Sequence, residues 1–202
     1  MDTIKSKYHE TLAATVIKNL EKRQMEGYYC PTVEDAEKLA FSFLKDGQTV
    51  SFGGSMTLEE TGMLTALRHD PSIHLIDRST AKTPDETKKM YHDALSSDVY
   101  FMSTNAITTG GELVNIDGTG NRVAALIYGP ETVVILAGMN KIAANVDEAL
   151  SRVHNVATAQ NCIRLDKKTP CAITGACADC LSPDCICNQV VITRRSGIKG
   201  RI

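Results

Sequence analysis

The chain has 202 residues, 43% of them hydrophobic and 23% charged, a length and balance that suit one domain with a buried core of its own. Its 22 basic and 24 acidic side chains leave a net charge of -2, which supplies no electrostatic footprint for nucleic acid or an anionic membrane. Trp is absent, aromatic residues are 5% of the chain, and no apolar run reaches the ~20 residues of a membrane span, so base-stacking platforms and spanning helices are both disfavoured.

The N-terminal MDTIKSKYHE lacks the apolar stretch of a secretory signal, and the expectation is a cytoplasmic protein. Ile4, Tyr8, Leu12, Val16 and Leu20 recur at fourfold spacing among Lys and Glu, which predicts a helix with a one-sided apolar stripe. A second helix follows Thr32, with Ala36, Leu39, Ala40, Phe43 and Leu44 along one face. TVSF (49–52) is a short strand that runs directly into Gly53-Gly54-Ser55. Thr57 and Glu60 have the spacing of a capping box at the head of the next helix. The strand SIHLID (72–77) precedes Thr83-Pro84-Asp85-Glu86, a strong helix start with Pro at the first helical position.

DVYFMS (98–103) and ETVVILAG (131–138) suit strands buried on both faces, while NAIT (105–108) and ELVN (112–115) flank Thr109-Gly110-Gly111 as a hairpin. NRVAALIYG (121–129) reads as a short helix and 146–157 as a longer one, with Val146, Ala149, Leu150 and Val153 inward. The alternation predicts an α/β fold with a mainly parallel, doubly wound sheet and one inserted hairpin. From Pro170 the texture changes, because five of the seven cysteines lie between 171 and 187.

Three places carry chemistry. The turn SFGGSMTLEE (51–60) joins a strand to a helix, and its glycines let backbone approach a ligand beside free helical N–H groups. A carboxylate, phosphate or oxyanion suits Gly53, Gly54, Ser55 and Thr57; a tight turn with a well-capped helix explains the same residues without a ligand. The segment 103–122 sets Asn105, Asn115, Asp117 and Asn121 among four glycines, a pattern that turn chemistry largely accounts for. The tail spacing C-x5-C-x2-C-x4-C-x-C admits a tetrahedral zinc site or an iron–sulfur cluster, with Cys171, Cys177, Cys180 and Cys187 as the ligand set and Cys185 spare. Free thiols or a labile disulfide are the alternative. The five histidines cluster neither with one another nor with the cysteines along the sequence, and Cys30 and Cys162 read as packing residues. No flavin or nicotinamide fingerprint is present, and no Walker A loop, Gly-x-Ser-x-Gly elbow or His-Glu-x-x-His motif.

FGGSMTLEETG (52–62), LIDRSTAKTP (75–84), MSTNAITTGGELVNIDGTGNRVAALIYGP (102–130) and AGMNKI (137–142) together resemble the lactate-utilisation (LUD) domain family. The likeness runs to about Leu165, and CAITGACADC (171–180) with ICN (186–188) is similar to a cysteine-bearing subgroup. The resemblance implies a fold like that of glucosamine-6-phosphate deaminase, ribose-5-phosphate isomerase and the coenzyme A transferases. It divides the chain into an α/β domain over 1–168, with its first helix inside 1–26, and a cysteine-rich metal-binding tail over 169–202. It implies a role in oxidising lactate to pyruvate beside iron–sulfur partner proteins, with a small carboxylate or a phosphorylated ligand at the Gly53–Thr57 turn. Asn105, Asp117 and Asn121 then become further ligand-binding candidates, and Glu59 or Glu60 a general base, Glu60 being the less free if it closes the capping box. Two other expectations compete: a stand-alone isomerase- or transferase-like enzyme, and a non-catalytic regulatory module with a structural zinc.

Overall fold

The computed structural model describes residues 3–202. Its first half runs α1 (Thr3–Lys22), α2 (Val33–Phe41), β1 (Thr49–Phe52), α3 (Met56–Glu60), α4 (Met63–His69), β2 (His74–Ile76), α5 (Pro84–Ala94) and β3 (Val99–Met102). The hairpin strands β4 (Ala106–Thr108) and β5 (Leu113–Asp117) follow, then α6 (Asn121–Ile127), β6 (Thr132–Ile135) and β7 (Ile142–Ala143). The last part holds α7 (Val146–Arg152), α8 (Ala159–Arg164), α9 (Pro170–Thr174) and β8 (Gln189–Thr193).

Four strands form an all-parallel sheet in the order β2-β1-β3-β6. Every residue of β3 is buried, and successive side chains face opposite ways. Val99 and Phe101 join Val50, Phe52, Leu58, Leu64 and Leu67 on the face covered by α3 and α4. Tyr100 and Met102 join Val16, Leu20, Ala94, Ala125 and Leu126 on the face covered by α1, α5 and α6. Helices thus cover both faces, as the apolar runs predict.

The hairpin is not inserted in that sheet. It forms the centre of a second one, ordered β7-β4-β5-β8, with β4 and β5 antiparallel. Gly111 at the hairpin turn has φ +88°, and a Cβ there would stand 3.0 Å from the backbone of Asn19 and Leu20 in α1. Only glycine meets both conditions. β8 follows the cysteines and pairs with β5 from Leu113 to Asp117. Beyond it the buried Arg201 guanidinium donates to the carbonyls of Ala125, Leu126 and Pro130 at the end of α6.

Three expectations change in detail. Ile4 and Tyr8 are exposed, and α1 buries only Ala13, Val16 and Leu20. Fourfold spacing overshoots a 3.6-residue turn by about 40° per step, so the stripe winds away from the core toward the N-terminus. The helix after β1 starts at Met56 with Ser55 as N-cap, its hydroxyl accepting from Leu58 N at 3.4 Å, so Thr57 and Glu60 form no capping box. The helix predicted over 146–157 is α7 continued by a π-helical stretch, Val153–Thr158, into α8. Among the described residues, no helix is long and apolar enough to cross a membrane.

Candidate functional site

After β1 the chain turns to β2 on one side, then returns to β3 on the other. The loops leaving β1 and β3 therefore diverge at the carboxyl edge of the sheet, where parallel sheets hold ligands. A polar cavity of about 1090 Å³ opens there. Gly54, Ser55, Thr57 and Glu60 line it from the β1 side and Ser103, Thr104 and Asn105 from the β3 side. Opposite stand Ile116 and Asp117 of β5, Arg152, and the helical residues Thr158, Gln160 and Asn161. The π-helical stretch lies in this wall, and such bulges recur at functional sites.

Lys141 occupies the middle of the cavity wall. Its ammonium donates to Thr57 Oγ1 and to Ser103 Oγ, both at 2.7 Å. Burial is the main reason its pKa is lowered to about 8, and the nearby Arg152 and Arg122 guanidinium groups add to it, with Glu60 opposing weakly. Arg152 donates to the carbonyls of Asn140 and Asn105 at 3.0 and 2.6 Å. Among the described residues both cations thus bond only to neutral oxygens, although burying charge without a counter-charge is costly. A third cation, Arg78, lies over Gly54, and its Nη1 is 3.4 Å from Tyr91 Oη.

Glu60 faces this space, freed from capping by Ser55. Glu59 is exposed and its field acts on Arg68 in the next helix, so the two glutamates diverge. Gly53 serves packing: a Cβ would lie 3.0 Å from Arg122 Cγ and Cδ and 3.1 Å from Tyr100 Oη. Gly53→Ala is expected to cost about 1–3 kcal/mol, because Arg122 is pinned and cannot yield. A melting temperature within about 1 °C of wild type would contradict it.

Asn105, Asp117 and Asn121 all line this cavity, and two of them are engaged in structure. Asn105 Oδ1 accepts from Ile116 N at 2.9 Å and from Arg122 Nη2 at 3.0 Å. Asp117 accepts from the N–H groups of Thr119, Gly120 and Val123, capping the start of α6, and stands 3.6 Å from Arg122 Nε. Asn121, the first residue of α6, also lines the cavity.

The cysteines lie in smaller groups. Cys171 Sγ is 3.2 Å from Thr169 Oγ1 and packs with Cys162, which is therefore a neighbour of the tail thiols. Cys177 Sγ is 3.7 Å from His154 Nδ1, a proximity across 23 positions that spacing along the chain does not show. Cys180 Sγ is 3.4 Å from Ser182 Oγ, whose hydrogen bonding lowers the thiol pKa. Burial pushes the Cys187 thiol up to about 12, and its backbone N–H reaches Cys185 Sγ at 3.4 Å. Cys185 itself lines the polar cavity. The thiols suit zinc or an iron–sulfur cluster in kind and number, yet among the described residues no three ligating side chains are placed to share one metal.

A family model described as the LUD domain matches residues 13–202. The chain belongs to the LUD domain family. It is thus a lactate-utilisation-related protein, and the match extends through the cysteines and β8. No curated protein matches the chain. Among solved structures, the tetrameric eIF2B-beta2-delta2 complex from C. thermophilum is similar at 18% identity and a TM-score of 0.37, over 68% of this chain and 46% of that one. Chaetomium thermophilum eIF2B delta is similar at 19% identity and a TM-score of 0.35, over 70% of this chain and 54% of that one. The chain spans about half the length of these solved chains.

Lys141, Ser103, Arg78, Arg122 and Arg152 are the site residues that sequence reading passes over. The first four lie inside the segments that carry the family likeness, AGMNKI, MSTN, LIDRST and GTGNR. A single Lys closing an otherwise uncharged stretch after ETVVILAG is the one local sign of Lys141.

Proposed function

We propose that this LUD domain binds a small organic anion in the cavity at the Gly53–Thr57 turn, with Lys141 as the principal contact. The observation that carries the reading is a half-buried ammonium bonded to two hydroxyls and, among the described residues, to no carboxylate. An anion entering the cavity would supply the missing counter-charge, and the Thr57 and Ser103 hydroxyls can turn to donate to it. L-lactate and pyruvate are the first probes, by calorimetry on the full chain. Absence of binding of both, and of inorganic phosphate, would overturn the reading.

Within a lactate-oxidising system, the chain acts as a subunit or accessory beside iron–sulfur proteins, and the cysteines at 171–187 are its own source of thiolates. Metal and acid-labile sulfide per chain, measured on anaerobically purified protein, are expected to show iron with sulfide. Cys177→Ser combined with Cys180→Ser is expected to remove the metal and leave the core folded, since their bonds run to His154 and Ser182 rather than into the sheet. Metal retained in that variant, or no metal in the wild type, would refute this part.

A second reading is favoured by Glu60, whose carboxylate lines the cavity without a capping role. As a general base it would move a proton to or from a carbon or oxygen of the bound acid, in an isomerase- or transferase-like reaction. That reading requires turnover by the isolated chain, lost in Glu60→Gln.

A further inference from the structure

Two features of the cavity go beyond one small acid. Clefts for drug-sized ligands measure ~300–1,000 Å³. This one holds about 1090 Å³, and a three-carbon acid would leave most of it to water.

The second feature is Arg78. Its side chain leaves the turn after β2, crosses the face of Tyr91 with 5.7 Å from guanidinium carbon to ring centre, and places Nη2 against Gly54. A Cβ at position 54 would collide with that nitrogen, so the glycine leaves room for the guanidinium in the cavity lining. Its hydrogen-bond partner is the Tyr91 hydroxyl, and no ion pair forms with it among the described residues. The neighbouring Arg68 shows the contrast, since its guanidinium is committed to Asp77 at 2.8 Å. A half-buried guanidinium with its fork open is suited to a carboxylate or phosphate, which it can grip with two parallel bonds.

Arg78 sits at Gly54 and Lys141 at Thr57, the two ends of one turn. Three residues of chain span at most ~11 Å between those backbone positions, and both cations line the one cavity. The carboxylates in the walls do not neutralise this pair. Asp117 is engaged with α6 and Arg122, Asp184 accepts from Lys168 N at 3.0 Å, and Glu60, whose field favours the Lys141 ammonium, forms no ion pair with it among the described residues. Arg164 and Lys167 also line the cavity, but they stand in and after the last turn of α8, where the helix dipole already accounts for cations.

We infer that the physiological ligand carries two anionic groups on a short carbon skeleton, one held by Lys141 and the other by Arg78, as in a phosphorylated hydroxy acid. This rests on the anion-binding reading above and narrows its ligand class.

The test compares 3-phosphoglycerate, which bears a carboxylate and a phosphate on three carbons, with L-lactate and inorganic phosphate on the full chain. 3-Phosphoglycerate is expected to bind at least about 10-fold tighter than either single anion. Arg78→Ala is expected to erase that advantage, and Arg78→Lys to restore only part of it. Thermal melts of both variants report whether the fold is kept, and Tyr91→Phe controls for loss of the hydroxyl contact. Equal affinities for the three probes in wild type, or an advantage that survives Arg78→Ala in a folded protein, would overturn the inference. Lactate binding that is lost in Lys141→Met without any preference for the two-headed probe would keep the anion site and reject the second contact. Absence of binding by all three probes rejects both.

Discussion

Lys141→Met is expected to weaken L-lactate binding by about 100-fold, the ~3 kcal/mol typical of removing one partner from a buried charged contact. Methionine keeps the length and apolar stem of lysine, so the cavity wall stays filled while the charge is removed. The same change relieves a half-buried ammonium that forms no ion pair among the described residues, and the melting temperature is expected to hold or rise. Loss of binding together with a fall in stability would instead point to damage of the wall. The pH dependence follows from the lowered Lys141 pKa of about 8. Below that value the ammonium is present and lactate binds fully; above it affinity falls as the proton leaves. Stability moves the opposite way. Between about 8 and the ordinary lysine value of 10.5, the unfolded chain holds a proton that the folded one has released, so this group makes stability rise with pH. An affinity flat from pH 7 to pH 10, a range of order three units around that value, would show that Lys141 is not the contact.

Arg122→Met is expected to give the largest loss of stability, about 3–5 kcal/mol. The guanidinium donates to Ser103 O, Asn115 Oδ1, Asn105 Oδ1 and Ile116 O at 2.6–3.1 Å, and faces Asp117. It thereby ties the loop after β3 to β5 and to the start of α6. Removing it strands buried acceptors and one carboxylate, while the methionine replaces only the stem. At ~2–4 °C per kcal/mol for a chain of this size, the melting temperature is expected to drop by roughly 10 °C. Burial lowers the Arg122 pKa, but arginine stays protonated at any usable pH, so this loss is expected to be independent of buffer pH. A drop under about 3 °C would show that water or a rearranged neighbour takes over its bonds.

The two variants separate binding from architecture within one constellation. Asn105 and Asp117 look like ligand groups along the sequence because polar side chains among glycines are common to binding loops and tight turns. Their bonds to Arg122, Ile116 and the head of α6 place them in the architecture. Lys141 and Arg78 sit in stretches with no local ligand motif, yet they form no ion pair among the described residues, which makes them the better candidates for ligand contacts.

The amino-acid sequence by itself determined the α/β class, the four parallel strands as short apolar runs, the hairpin at Thr109–Gly111 and the helix starts at Thr32 and Thr83. Each depends on neighbours within a few positions: period-two burial, a hydroxyl accepting from the third N–H, a glycine where φ is positive. It also marked the β1 turn as a candidate ligand loop beside the reading of a plain capped turn, since a strand that ends in glycines before a helix has local causes and a known place in parallel sheets. Only the tertiary structure decided that the hairpin heads a second sheet closed by β8, because that pairing joins Leu113 to Thr193 across the cysteine segment. Only it could bring Lys141 to Thr57, 84 positions away, set Arg78 over Gly54, and turn Glu60 toward the cavity by moving the N-cap to Ser55. Charges that meet across the fold leave no periodicity along the chain, and their function depends on which partners the fold withholds from them.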